Sequence, residues 1–143
     1  MTRIELVMSV FAGVCGGLVG VLWNGTVTSA WLRASGATAP LGVDGERLET
    51  LLAGAAGHAG AGAVQGLLFW ASWSLIALVH VPWYLTGVAF GLLCWGGAAL
   101  PAMLSLRLRL PVPARLAYAS AAEWFASCVA AGLFCAYSWQ RFV

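Results

Sequence analysis

The chain alternates long apolar stretches with short polar breaks. The apolar stretches cover about residues 4–32, 51–79, 82–106 and 116–139. Each is long enough to cross a hydrocarbon core of about 30 Å as a helix, which takes roughly 20 residues. The breaks between them are rich in Pro, Gly or Arg, as expected of connections. The pattern predicts an all-α, polytopic membrane protein whose single domain, residues 1–143, is a bundle of four transmembrane helices.

The first apolar stretch invites a second interpretation, as a cleaved signal peptide. It is long for the apolar region of a signal, Glu5 lies where basic residues are expected, and no clear A-x-A site follows. We therefore expect it to remain as a membrane helix.

Composition excludes several classes of protein. The chain is 62% hydrophobic and 8% charged, whereas a soluble domain has about 25% charged residues. The net charge of +2 gives no extended basic patch for nucleic acid. No G-x-S-x-G elbow, H-E-x-x-H helix or phosphate-binding loop is present. We expect no nucleic-acid partner, no enzymatic activity or catalytic residue, no cofactor and no metal site.

The two histidines, His58 and His80, raise the possibility of a haem held between helices. At 1.5 Å per residue they lie on the order of 30 Å apart along the second stretch, which is too far for one haem. His80 is more simply an interfacial residue beside Pro82. The four cysteines lie in apolar stretches without C-x-x-C spacing, which predicts buried, inert thiols.

Arginines favour one orientation in the membrane. Five of them flank the first and third connections, namely Arg33, Arg47, Arg107, Arg109 and Arg115. The opposite side carries Arg3 and Arg141. The positive-inside rule then predicts both termini outside.

Small residues recur at three- or four-residue spacing on three of the predicted helices. Such stripes let helix backbones approach closely, which is how helices associate in lipid. We therefore predict helix–helix contacts at Gly13, Gly17, Gly20, Gly62, Gly66, Gly87 and Gly91.

Well inside the apolar stretches, four residues carry an amide, imidazole or carboxyl side chain: Asn24, His58, Gln65 and Glu123. Asn24, His58 and Glu123 are each about 8 to 11 residues, or roughly 12 to 16 Å, from the Arg-flanked end of their helix. This shared depth predicts a buried cluster in which Glu123 pairs with His58, close to Asn24. The cluster could relay protons or bind a cation. It could equally serve only to hold helices together.

Trp23-Asn24-Gly25 closes the first stretch, His58 opens the second, Gly87 and Gly91 lie in a third that closes on Pro101, and Glu123 lies early in the fourth. This layout resembles that of the YagU-like bacterial inner-membrane proteins. The resemblance implies a multi-pass protein of the cell inner membrane. It also implies termini inside, against the arginine distribution, and it brings no settled activity.

The function expected from these features is non-enzymatic. A single bundle rich in Gly and Ala packs too closely to leave a wide channel. We therefore expect an oligomeric, channel-like transport unit, with a homo-oligomer supplying the path, or a packing component of the membrane. An accessory subunit with a membrane-complex partner is the alternative.

Overall fold

The computed structural model describes residues 3–34, 44–76, 81–109 and 113–142. The regular secondary structure of these ranges is helical, which confirms the all-α prediction for the described part of the chain. The helices are α1 (Arg3–Gly17), α2 (Val19–Trp23), α3 (Ser29–Ala34), α4 (Asp44–Ile76), α5 (Trp83–Cys94), α6 (Leu100–Arg109) and α7 (Ala114–Phe142), with π-helical turns at Asn24–Thr28 and Trp95–Ala99.

Within the described residues, three helical stretches are long and apolar enough to cross a membrane: Arg3–Trp31, Trp83–Arg109 and Ala114–Arg141. The helix α4 has 33 residues but is not among them, and its many glycines, with His58 and Gln65, lower its hydropathy. The count of four spans therefore stays a prediction. Residues 77–79 of the second predicted span, and His80, lie outside the described residues.

The helix α7 lies at the centre of the arrangement. It packs against α1, α4 and α5, while α1 also packs along α4. By contrast, α4 and α5 barely touch each other. A buried apolar cluster joins α1, α4 and α7, and it consists of Ala12, Phe69, Cys135, Ala136 and Trp139.

Glycines bring α1 and α4 into backbone contact. A Cβ added at Gly13 would collide with the Gly62 carbonyl oxygen, and one at Gly62 would collide with the Gly13 carbonyl oxygen. Likewise, a Cβ at Gly17 would meet the carbonyl oxygen of His58, and one at Gly66 would meet backbone on α1. Any side chain at these positions would push the two helices apart.

A second close approach joins α5 to α7. A Cβ added at Gly87 would lie 2.8 Å from Leu133 Cα, and one at Gly91 would lie 2.7 Å from Val129 Cα. Gly132 of α7 takes part from the other side, because its added Cβ would collide with the Gly87 carbonyl oxygen. The sequence pattern did not single out Gly132.

The two π-helical turns lie within the first and third helical stretches, at Asn24–Thr28 and Trp95–Ala99. Pro101 follows the turn at Trp95–Ala99 and has no backbone N–H to donate to the preceding turn of helix. A proline near the end of a helix can mark either a kink or the point where the helix frays. The helix instead continues to Arg109, so the fraying alternative is wrong, and the irregularity is the wider π-helical turn just before the proline.

Candidate functional site

A carboxyl group and an imidazole meet between α4 and α7. His58 Nε2 lies 2.7 Å from Glu123 Oε1. Both side chains are buried, with His58 4% and Glu123 8% exposed. A distance of 2.7 Å is typical of a charge-assisted hydrogen bond or of a strong neutral one. The contact predicted from the shared depth of these residues is therefore present.

Ser127 binds the other nitrogen of the imidazole. Its Oγ lies 3.2 Å from His58 Nδ1, one helical turn beyond Glu123 on α7. The same hydroxyl donates to the carbonyl oxygen of Gly17 at 2.8 Å. The local break after α1 favours this contact, because the Val21 N–H donates to Leu18 O rather than reaching back a full helical turn to Gly17.

The hydrogen bonds of Ser127 determine the tautomer of His58. A backbone carbonyl can only accept, so the single hydroxyl proton of Ser127 points at Gly17. The Ser127 oxygen must then accept from His58 Nδ1, which carries a proton. The remaining nitrogen, Nε2, faces Glu123. One proton therefore lies between Nε2 and Oε1 and is held by either atom.

Both placements of that proton leave the pair with zero net charge. If Glu123 holds it, a neutral acid donates to a neutral imidazole; if His58 holds it, an imidazolium donates to a carboxylate. Moving the proton across the 2.7 Å bond exchanges these two states without any rearrangement of heavy atoms. The pair can thus store and pass one proton, which an amide in place of the acid could not do.

Asn24 binds the second carboxyl oxygen. Its Nδ2 donates to Glu123 Oε2 at 2.7 Å. Asn24 opens the π-helical turn Asn24–Thr28, and the hydroxyl of Ser29, the residue after the turn, donates to Gly25 O at 2.7 Å. A π-helical turn adds a residue to one turn of helix and so changes the direction of the following side chains. Such turns are frequent at functional sites.

Gly20 leaves the space that the imidazole occupies. A Cβ added there would lie 2.7 Å from both His58 Cε1 and His58 Nδ1, and 2.9 Å from Ser127 Cβ. Here the predicted glycine stripe serves the cluster directly, because the first helix must lack a side chain where the ring passes. Trp124 covers another side of the ring, with centroids 4.3 Å apart.

Gln65 lies apart from these three residues. Its Nε2 donates to the Cys128 carbonyl oxygen at 2.7 Å, and its side chain is buried. The structure thus brings together Asn24, His58 and Glu123 and leaves Gln65 as a separate link between α4 and α7. His58 and Glu123 are buried as predicted, whereas Asn24 is exposed, so the prediction of burial was wrong for Asn24.

Sequence reasoning missed two members of the site. Neither Ser127 nor Trp124 was predicted to be part of the site. The i, i+4 spacing of Glu123 and Ser127 was the available signal, because it places both on one face of α7. No feature of the sequence pattern predicts the contact between the Trp124 and His58 rings.

Among the described residues, no group of three His, Cys, Asp or Glu side chains is placed to hold a metal ion. In this cluster the groups that could coordinate a metal ion are one carboxyl, one imidazole, one hydroxyl and one amide. These groups are hydrogen-bonded to one another, Glu123 to His58 and Asn24, and His58 to Ser127.

Comparison with known proteins gives no match to any family model, curated protein or solved structure. The resemblance to YagU-like proteins therefore stays a prediction, and function must be inferred from the geometry.

Proposed function

We propose that this chain is a four-span protein of the bacterial inner membrane, that it is not an enzyme, and that it works as a proton-linked transport unit within a homo-oligomer. One observation carries the proposal: the buried Glu123 carboxyl and His58 imidazole lie within hydrogen-bond distance, 2.7 Å apart. Three helical stretches able to cross a membrane support the location.

The depth of the pair fits this role. Roughly 12 to 16 Å from the Arg-flanked ends is near the middle of a hydrocarbon core of about 30 Å. Ionisable groups at that depth cost a few kcal/mol, so they usually mark proton or ion pathways. A neutral pair that shares one proton lowers this cost and still offers an exchangeable proton.

The second candidate function is purely structural. Ser127 links α7 to the Gly17 carbonyl, Asn24 links the π-helical turn to α7, and His58 adds α4. Hydrogen bonds between membrane helices contribute on the order of 1 kcal/mol each. Three such links would hold the helices together without any proton movement.

Glu123→Gln separates the two candidates. The glutamine amide can donate to His58 Nε2 while its oxygen accepts from Asn24, so the hydrogen-bond geometry is retained, but the exchangeable proton is lost. The variant and the wild type are reconstituted in liposomes with a pH-sensitive dye inside, and proton uptake is driven by an imposed membrane potential. We expect flux for the wild type and its loss for Glu123→Gln, with thermal stability little changed.

Glu49→Gln is the matched control, because Glu49 is exposed at the start of α4 and lies outside the cluster. It should keep the wild-type flux. Equal flux in all three proteins, or none in any, would reject proton transport and leave the structural role.

The oligomeric state of the purified protein tests whether the transport unit is a homo-oligomer. A protein purified from native membranes in mild detergent should run as a homo-oligomer. Purification as a monomer only would contradict the transport unit. A stable stoichiometric partner of a different sequence would favour the accessory-subunit alternative.

A further inference from the structure

An open groove separates α4 from the third helical stretch. Because α4 and α5 barely touch, a cavity of about 950 Å³ remains between them. This is at the upper end of the roughly 300–1,000 Å³ of small-molecule sites. Trp124 and Cys128 of α7 contribute to its lining, together with Val64 and Leu68 of α4.

The groove changes character along its length. Arg109, Ser105 and Ser120 line one end, whereas the rest is apolar apart from Gln65. From Leu93 to Arg109 the groove follows about 24 Å of helix. It is therefore polar and basic at the Arg-flanked end, and apolar toward the middle of the bundle.

The π-helical turn keeps the groove open. Gly97, Ala98 and Ala99 of this turn and Ala102 of α6 line the wall, and their small side chains leave it hollow. A Cβ added at Gly97 would meet nothing within 4 Å. The third helical stretch therefore stands away from α4 at this level rather than packing on it.

Charge decides what the groove can hold. Arg109 is exposed at its mouth, Arg107 and Arg115 are close by in sequence, and no Asp or Glu occurs between Glu49 and Glu123. A guanidinium binds a phosphate through two parallel hydrogen bonds. Basic pockets between membrane helices bind lipid head groups in the same way.

We propose that this groove is a binding site for an anionic phospholipid, with one acyl chain along the apolar part and the phosphate on Arg109. The inference rests on the membrane location proposed above. The acyl chain of the lipid would lie against Trp124, whose ring packs on the His58 ring with the centroids 4.3 Å apart. A bound lipid would thus shield the proton-sharing pair on that side.

The test uses the full-length protein in vesicles of mixed phosphatidylglycerol and phosphatidylcholine. After purification in mild detergent, co-purifying lipids are quantified by mass spectrometry. We expect phosphatidylglycerol to be enriched about fivefold over its share in the vesicles, since one arginine near an anionic lipid contributes an effect of that size. High salt during purification should reduce the enrichment, because exposed charge contacts are screened.

Two pairs of variants test which residues form the lipid site. Arg109→Gln should abolish the enrichment, whereas Arg107→Gln should retain it, because Arg107 lies over the Tyr118 ring at 5.9 Å and does not line the groove. Gly97→Leu should fill the groove and lower retention of both lipids. Gly96→Leu, beside it but not lining the groove, should not.

Three results would overturn the proposal. The first is equal retention of the two lipids by the wild type, and the second is an equal loss of phosphatidylglycerol enrichment in Arg107→Gln and Arg109→Gln. The third is conversion of an oligomer to a monomer by Gly97→Leu with the amount of bound lipid unchanged, which would assign the groove to a second copy of the chain. Extraction of the protein from vesicles by alkaline carbonate would instead reject the membrane location. The two failures are therefore distinguishable.

Discussion

Glu123 Oε1 and His58 Nε2 lie 2.7 Å apart, although 65 positions separate the two residues in the chain. Asn24 and Ser127 each make a hydrogen bond to the pair, Ser127 from a buried position and Asn24 from an exposed one. Polar groups satisfied in this way are stable in a buried site, but each becomes costly when its partner is removed. The stability of the protein should therefore respond to these residues jointly.

Truncation of either partner should reveal their coupling. His58→Ala and Glu123→Ala each leave a buried polar group without its partner, which costs about 1–3 kcal/mol. In the double variant both groups are gone, so the combined loss should be smaller than the sum by more than about 0.5 kcal/mol. Unfolding in mixed detergent micelles measures the four free energies, and additive losses would show that the residues do not interact.

The tautomer of His58 is open to direct measurement. In a His80→Gln background His58 is the remaining imidazole of the chain, so its ¹⁵N NMR signals are unambiguous. We expect Nδ1 to be protonated, because Ser127 donates to Gly17 and must accept from the ring. Ser127→Ala should remove this constraint and cost about 1–3 kcal/mol. An unprotonated Nδ1 in the wild type would contradict the assignment.

Two glycines of opposite environment should respond in opposite directions to the same substitution. Gly17→Ala introduces a Cβ against the carbonyl of His58, and such overpacking costs about 1–3 kcal/mol. Gly57→Ala places its Cβ in open space and should gain up to about 1 kcal/mol, since alanine favours helix over glycine. Thermal unfolding in detergent compares them. A neutral Gly17→Ala would mean that α1 and α4 do not pack this closely.

Gln65 should behave as an isolated link. Gln65→Leu retains the volume and removes one hydrogen bond, to the carbonyl of Cys128. A carbonyl has two lone pairs, and inside α7 one can accept the usual helical N–H, so we expect a loss below about 1.5 kcal/mol. Proton flux should be unchanged. A loss as large as that of His58→Ala would place Gln65 in the same network as Glu123.

The sequence by itself determined which residues could meet. Stretches of apolar residues predict the helices, because their length and composition are local properties of the chain. The distances of Asn24, His58 and Glu123 from their flanking arginines predict a shared depth, because the rise of a helix per residue is constant. Small residues on the same faces indicate where backbones could approach each other.

Only the tertiary structure decided how these groups bind one another. The role of Ser127 depends on the carbonyl of Gly17, which is 110 positions away and becomes its acceptor beside the local break at Leu18. The direction of Asn24 depends on a π-helical turn, and the groove depends on α4 and α5 standing apart. Each of these follows from how the helices are rotated and spaced against α7. That rotation is set by contacts between distant residues, and no local pattern contains it.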